Sequence, residues 1–108
     1  MNKKFGNKYY TLITDEYIEK KTLFKTSIIS YSNIKKIYMQ VPMYDNFERN
    51  LNCKYDYNFK ILDNNGKKFY FSLNTTRDEF IEITNFLSSL NILIQTNYYD
   101  ETRPNAAD

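Results

Sequence analysis

Between Lys54 and Leu62 the side chains alternate without a break: Tyr55, Tyr57, Phe59 and Ile61 against Lys54, Asp56, Asn58 and Lys60. A period of two marks a strand with one buried face and one wet face. The run enters Asp63-Asn64-Asn65-Gly66, and Lys67 to Leu73 then returns with Phe69, Phe71 and Leu73 inward. The Asn-Gly pair accepts the positive φ angles of a tight turn, so the whole stretch predicts a hairpin.

Upstream the same rhythm recurs with more noise. Lys8 to Thr14 reads as a strand, Asp15-Glu16 as a turn and Tyr17 to Phe24 as the antiparallel return. Thr26 to Ser30 follows, then a polar kink at Ser32-Asn33. In Ile34 to Val41, Ile37, Met39 and Val41 alternate with Tyr38 and Gln40. Pro42 cannot donate a ladder hydrogen bond and is expected to close that strand, opening a long loop through Asn52.

After Leu73 the period changes to 3.6. Thr76-Arg77-Asp78-Glu79 has the form of a capping box, in which the threonine hydroxyl accepts from the N3 amide while the glutamate reaches back. Phe80, Ile83, Leu87 and Leu90 form one stripe widened by Phe86, which predicts a helix buried against the sheet. Residues 1–97 are read as a single domain and 98–108, which lack periodicity, as a flexible tail.

These elements describe a mainly β chain with one C-terminal α-helix: a curved antiparallel roll, or partly open barrel, of about seven strands capped by the helix. Nineteen aromatic residues, eleven Tyr and eight Phe, agree with sheet, because broad rings suit a pleated, half-buried surface. The turn Thr14-Asp15-Glu16 before Tyr17-Ile18, the segment from Ile29 through Tyr31-Ser32-Asn33-Ile34 to Ile37, the Asn-Gly hairpin and the last helix together resemble the bacterial pleckstrin-homology-like domains. The resemblance implies a roll of two sheets capped by a C-terminal helix. In the eukaryotic branch of that superfold a basic motif around the loop joining the first two strands holds phosphoinositide headgroups. Here Asp15-Glu16 is assigned to that loop, and two carboxylates would repel an inositol phosphate, so that activity is not carried over.

Composition narrows the chemistry. The chain has no histidine, which removes imidazole bases, Ser-His and Cys-His pairs and imidazole-based zinc sites. Cys53 is the single cysteine and cannot form an internal disulfide, as expected of a cytoplasmic protein. Asp15-Glu16 and Asp78-Glu79 read as a turn and a helix start, not as acid–base pairs. No catalytic residue, metal site or cofactor is expected, and the chain is read as non-enzymatic. The lysine-rich N-terminus runs into no apolar stretch of an export signal, and Ile92-Leu93-Ile94 is far short of the roughly 20 apolar residues that cross a bilayer.

Partners are sought in what is left over. The segment Pro42 to Leu51 is rich in apolar and aromatic side chains, so Met43, Tyr44, Phe47 and Arg49 are candidate protein contacts, with Ile92 and Ile94 beyond the helix. A protein partner or a second copy of the chain is the first expectation. A net charge of +2 disfavours a dedicated nucleic-acid binder. Convergence of Lys21, Lys36 and Lys60 on one sheet face would instead offer a weak site for phosphate groups or an acidic partner, and peripheral binding of anionic lipid at a membrane surface, or of nucleic acid, through that face is the alternative reading. Tyr38, Tyr44 and Tyr70 are the tyrosines left for contacts.

Overall fold

The computed structural model describes residues 1–43 and 53–100. Eight strands build two four-stranded sheets. β1 (Asn2–Gly6), β2 (Tyr10–Thr14), β3 (Tyr17–Lys21) and β4 (Thr26–Ser30) form an antiparallel meander in chain order. The second sheet has the order β7-β6-β5-β8, from β5 (Ile34–Met43), β6 (Lys54–Asp63), β7 (Lys68–Thr76) and β8 (Leu93–Asp100). The helix α1 (Arg77–Ser89) lies between β7 and β8 in the chain. Among the described residues no ladder joins the two sheets, so the molecule is a partly open roll capped by a helix.

The corner between the sheets is a single 3-10 turn, Tyr31–Asn33. Tyr31 is buried there, donates its hydroxyl to the Thr14 carbonyl at 2.7 Å and meets the ring of Phe86 edge-on at 5.8 Å. Ile34 turns inward directly after it, as expected of a polar corner followed by an isoleucine. Burial pushes the Tyr31 phenol pKa well above its ordinary value, with the Asp15 carboxylate adding to the shift.

The core is the sum of the period-two faces and the helix stripe. Ile13, Ile18 and Ile29 from the first sheet face Ile37, Met39, Val41, Tyr57, Phe59, Ile61, Phe71 and Leu73 from the second. Phe80, Ile83 and Leu87 close the layer from α1. Phe80 stacks on Tyr57 with centroids 3.9 Å apart and planes 7° from parallel, while Phe59 stacks on Phe71 at 4.5 Å. Burial raises the Tyr57 pKa to about 12, against a smaller lowering by the Arg77 charge.

The structure corrects several expectations. Residues 2–6 form β1, whose inward residue Phe5 packs against the core while Lys3 meets the start of α1. Its polar composition hides a strand whose face is half covered. The loop joining the first two strands is therefore Asn7 to Tyr9, and Asp15-Glu16 joins the second and third. Gly6 makes that first connection possible: its φ is +104°, and a Cβ would stand 2.3 Å from the Tyr9 carbonyl oxygen.

Pro42 does not close β5, which continues to Met43. The pairing of β5 with β6 ends at Gln40 and Asn58, so at Pro42 the strand has β8 alone as neighbour and a missing donor is tolerated as on an edge. In the β6–β7 turn only Gly66 has positive φ. Asp63 caps this turn, its carboxylate accepting from the amides of Asn65 and Lys67 at 2.8 Å each, which makes a three-residue loop instead of a two-residue Asn-Gly turn.

The capping box forms by half: Thr76 Oγ1 accepts from the Glu79 amide at 3.3 Å, but the Glu79 carboxylate bonds the Thr75 hydroxyl. Asn91, at φ 62°, ends the helix in the left-handed conformation and sends the chain into β8. β8 runs parallel to β5, as a helical crossover permits, and carries residues 98–100 that were assigned to the tail. The remaining tail residues lie outside the described ones.

Candidate functional site

The three candidate lysines divide between two surfaces. Lys36 and Lys60 converge on the outer face of the second sheet, their ammonium groups 4.7 and 4.5 Å from the ring centroid of Tyr38. Lys36 also donates to Gln95 Oε1 at 2.9 Å. Both cations thus engage neighbours of their own chain. Tyr38 and Tyr70 flank Lys60 along one row of the sheet, beside a shallow hollow of about 310 Å³ shared with Gln40, Asn58 and Asn97. Lys21 lies in β3 of the other sheet, so the expected three-lysine site does not form.

Of the candidate protein contacts, Tyr44, Phe47 and Arg49 lie outside the described residues, and Met43 ends β5. Ile92 and Ile94 pack partly against the core. Their apolar character serves the fold, and the residue between them, Leu93, is the exposed one at 63%. It stands on β8, which among the described residues is paired on one side only.

The most exposed apolar group is elsewhere. β3 ends at Lys21, not at Phe24, and a turn spans Thr22 to Lys25. Thr22 N–H donates to the Lys25 carbonyl at 2.9 Å, and the Thr22 hydroxyl donates to the same oxygen at 3.2 Å. The Lys25 amide in turn donates to the Thr22 hydroxyl oxygen at 3.3 Å. Leu23 and Phe24 occupy the tip with 67% and 91% of their surface in water. One signal would have found this: pairing inward Ile18 with inward Ile29 forces the hairpin centre between residues 23 and 24. No Gly, Pro, Asn or Asp stands between Tyr17 and Ser30 to announce a turn.

The register carries the Asn7 to Tyr9 connection to the same end of the sheet, since Gly6 pairs with Tyr10, Tyr10 with Lys21 and Lys21 with Thr26. Tyr9, Tyr10, Lys20, Lys21, Thr22 and Leu23 border one depression of about 400 Å³. Lys20 reaches across from here to the Tyr70 carbonyl of β7 at 2.7 Å. At the opposite end of the sheet sit Asp15 and Glu16, with the N-terminal ammonium of Met1 paired to Asp15.

A further ion cluster joins β1 to the start of α1. Lys3 Nζ lies 3.1 Å from Glu79 and 3.4 Å from Glu82. The hydrogen bond from Thr75, followed by that from Lys3, holds the Glu79 carboxyl below the usual carboxylate range, and the bond to Glu79 raises the Lys3 pKa. Fully engaged with one another, these groups read as a structural clasp beside an open seam of about 470 Å³ between β1 and β7. Among the described residues no group of three or more Cys, Asp or Glu side chains could hold a metal ion, and no helix is long and apolar enough to cross a membrane. No protein-family model matches the chain, and no curated protein matches it.

Proposed function

We propose that the chain is a non-enzymatic, cytoplasmic interaction module of pleckstrin-homology-like type that assembles with copies of itself through the edge of β8. The observation that carries the reading is the unequal treatment of the four sheet edges. Natural sheets blunt their edges with short strands, lysines, prolines, bulges or covering groups, because unpaired backbone donors and acceptors otherwise recruit a further strand. β1 has five residues, two of them lysines, and β4 has five residues. β7 has its Tyr70 carbonyl occupied by Lys20.

Among the described residues β8 has none of these devices. Its eight residues, Leu-Ile-Gln-Thr-Asn-Tyr-Tyr-Asp, include no lysine, arginine or proline, and its register with β5 runs without a bulge. A second copy suits this edge because antiparallel pairing about a two-fold axis places each strand against itself, and β8 brings no like charges together before Asp100. The same pairing centred on β1 would set Lys4 against its own copy, or Lys3 against Lys4. Exposed Leu93 and Tyr98 add apolar area to the contact.

Sedimentation velocity over a concentration series tests the reading. The chain is expected to dimerise reversibly, and Asn97→Lys, a charge set on an exposed position of the edge, is expected to return it to monomer with an unchanged circular dichroism spectrum. A chain that stays monomeric up to its solubility limit, or a dimer indifferent to Asn97→Lys, would refute it.

A further inference from the structure

We propose that the β3–β4 tip, Thr22 to Lys25, inserts Leu23 and Phe24 into anionic lipid bilayers, giving the module a membrane-docking surface separate from β8. The fold gives no reason for these two residues. They are the centre of a tight turn, both with negative φ, a conformation that polar residues adopt as readily. Yet the position most exposed among the described large apolar side chains, at 91%, is given to phenylalanine.

The base of the tip is held closed: the Thr22 amide and hydroxyl donate to the Lys25 carbonyl, and the Lys25 amide donates to the Thr22 hydroxyl oxygen. Among the described residues the backbone groups of Leu23 and Phe24 have no such bonds, so the docking depth is the hydrated headgroup boundary, with only the two side chains reaching further. Lys21 and Lys25 on the hairpin and Lys8 on the neighbouring connection belong to this end of the sheet, while Lys20 is turned to the Tyr70 carbonyl and the acid next along β3, Glu19, accepts from the Tyr10 hydroxyl. Tyr9, 44% exposed beside Leu23, has the ring and hydroxyl that favour the headgroup level.

An apolar point inside a ring of cations reproduces the layering of an anionic membrane, apolar interior beneath negative headgroups. A groove on a folded protein would match the apolar residues without requiring Lys8, Lys21 and Lys25 beside them. The lysines act as point charges on a surface, not as a shaped headgroup pocket, so phosphatidylserine and phosphatidylglycerol should serve equally.

The chain has no tryptophan, so Phe24→Trp installs a single reporter at the tip. With phosphatidylserine–phosphatidylcholine vesicles its emission is expected to shift to the blue, to do so equally with phosphatidylglycerol, and to lose the shift as salt is raised. In a vesicle sedimentation assay, Leu23→Ser with Phe24→Asn is expected to weaken binding by a factor on the order of 100. Lys21→Glu with Lys25→Glu is expected to abolish the preference for anionic over neutral lipid. An unshifted emission spectrum, binding that survives loss of the tip, or equal binding to pure phosphatidylcholine would overturn the proposal. Because a dimer would present two tips to one vesicle, each readout is taken in the Asn97→Lys background as well, and a tip effect that persists there leaves the reading of β8 standing or falling on its own test.

Discussion

Replacing Leu23 with Ser and Phe24 with Asn separates what the fold needs from what a partner needs. Complete burial of a Leu or Phe side chain stabilises by about 1.5–3 kcal/mol. Phe24 hides about a tenth of its surface and Leu23 a third, since 91% and 67% are exposed. Scaling the burial energy by those fractions gives a combined loss of about 1 kcal/mol. Ser and Asn recover a few tenths of that through their preference for turn positions. The net change should then stay under about 1 kcal/mol, or a fall in Tm of at most about 8 °C for a chain of this size. Urea and thermal denaturation followed by circular dichroism measure it. A loss of about 3 kcal/mol, the scale of a core deletion, would mean that the tip packs against the body of the protein, and the case for its exposure would collapse.

The other expectations concern the helix and its clasp. Phe80→Ala removes the ring stacked at 3.9 Å on Tyr57 and 7% exposed. It should cost about 3–5 kcal/mol in urea unfolding, with Phe80→Leu clearly milder; a loss below about 1 kcal/mol would show that the plug does not hold the roll. The Glu79 carboxyl has a lowered pKa in the fold, so its contribution is present above the unfolded value near 4.5 and disappears as pH falls through the folded one. Acid titration of stability should therefore be shallower in Glu79→Gln than in the unaltered chain, and parallel curves would contradict the clasp. Tyr57 and Tyr31 have raised pKa values, so stability is full below the unfolded tyrosine value of 10.0 and declines as pH climbs towards about 12. Phenolate absorbance should rise in two steps, exposed tyrosines first and the buried pair with unfolding; ionisation of all eleven together in a folded chain would refute their burial.

The parts of the fold that declared themselves in the sequence are those whose faces are fully asymmetric. Tyr57, Phe59 and Ile61 are buried and their neighbours wet, so a period of two could be read directly, and the stripe of Phe80, Ile83 and Leu87 likewise gave the helix. β1 and β8 failed that test for a physical reason. Each packs one modest face against a finished core: Lys3 is inward but charged, and Ile92-Leu93-Ile94 presents three apolar residues in a row. Losing β1 also shifted the numbering of the connections, which placed Asp15-Glu16 where Asn7-Lys8-Tyr9 stands and removed a basic loop from consideration. The tip escaped because it carries strand-like residues at turn positions. Convergence of lysines was beyond the sequence altogether, since it depends on which strands become neighbours: Lys36 and Lys60 meet at Tyr38, while Lys21 lies at the end of the first sheet shared with Lys8 and Lys25.

That last regrouping changes what a net charge of +2 implies. A total near zero argues against polyanion binding only when charge is spread evenly, because surface potentials depend on local arrangement and fade within about 10 Å at moderate salt. The first sheet is not even: Lys8, Lys21 and Lys25 belong to the end that bears Leu23 and Phe24, and Asp15 and Glu16 occupy the other. Such a sheet is charged unequally at its two ends, and an anionic plane attracts one end while repelling the other, so this asymmetry would favour the tip facing the membrane before any apolar contact is made. Reversing Asp15 and Glu16 to lysine is the discriminating perturbation. It raises the net charge from +2 to +6, two charge units for each of the two replacements, yet erases the asymmetry. If orientation governs docking, the Phe24→Trp blue shift at low lipid should weaken despite the larger positive total; if bulk charge governs it, the shift should strengthen, and the argument from asymmetry fails.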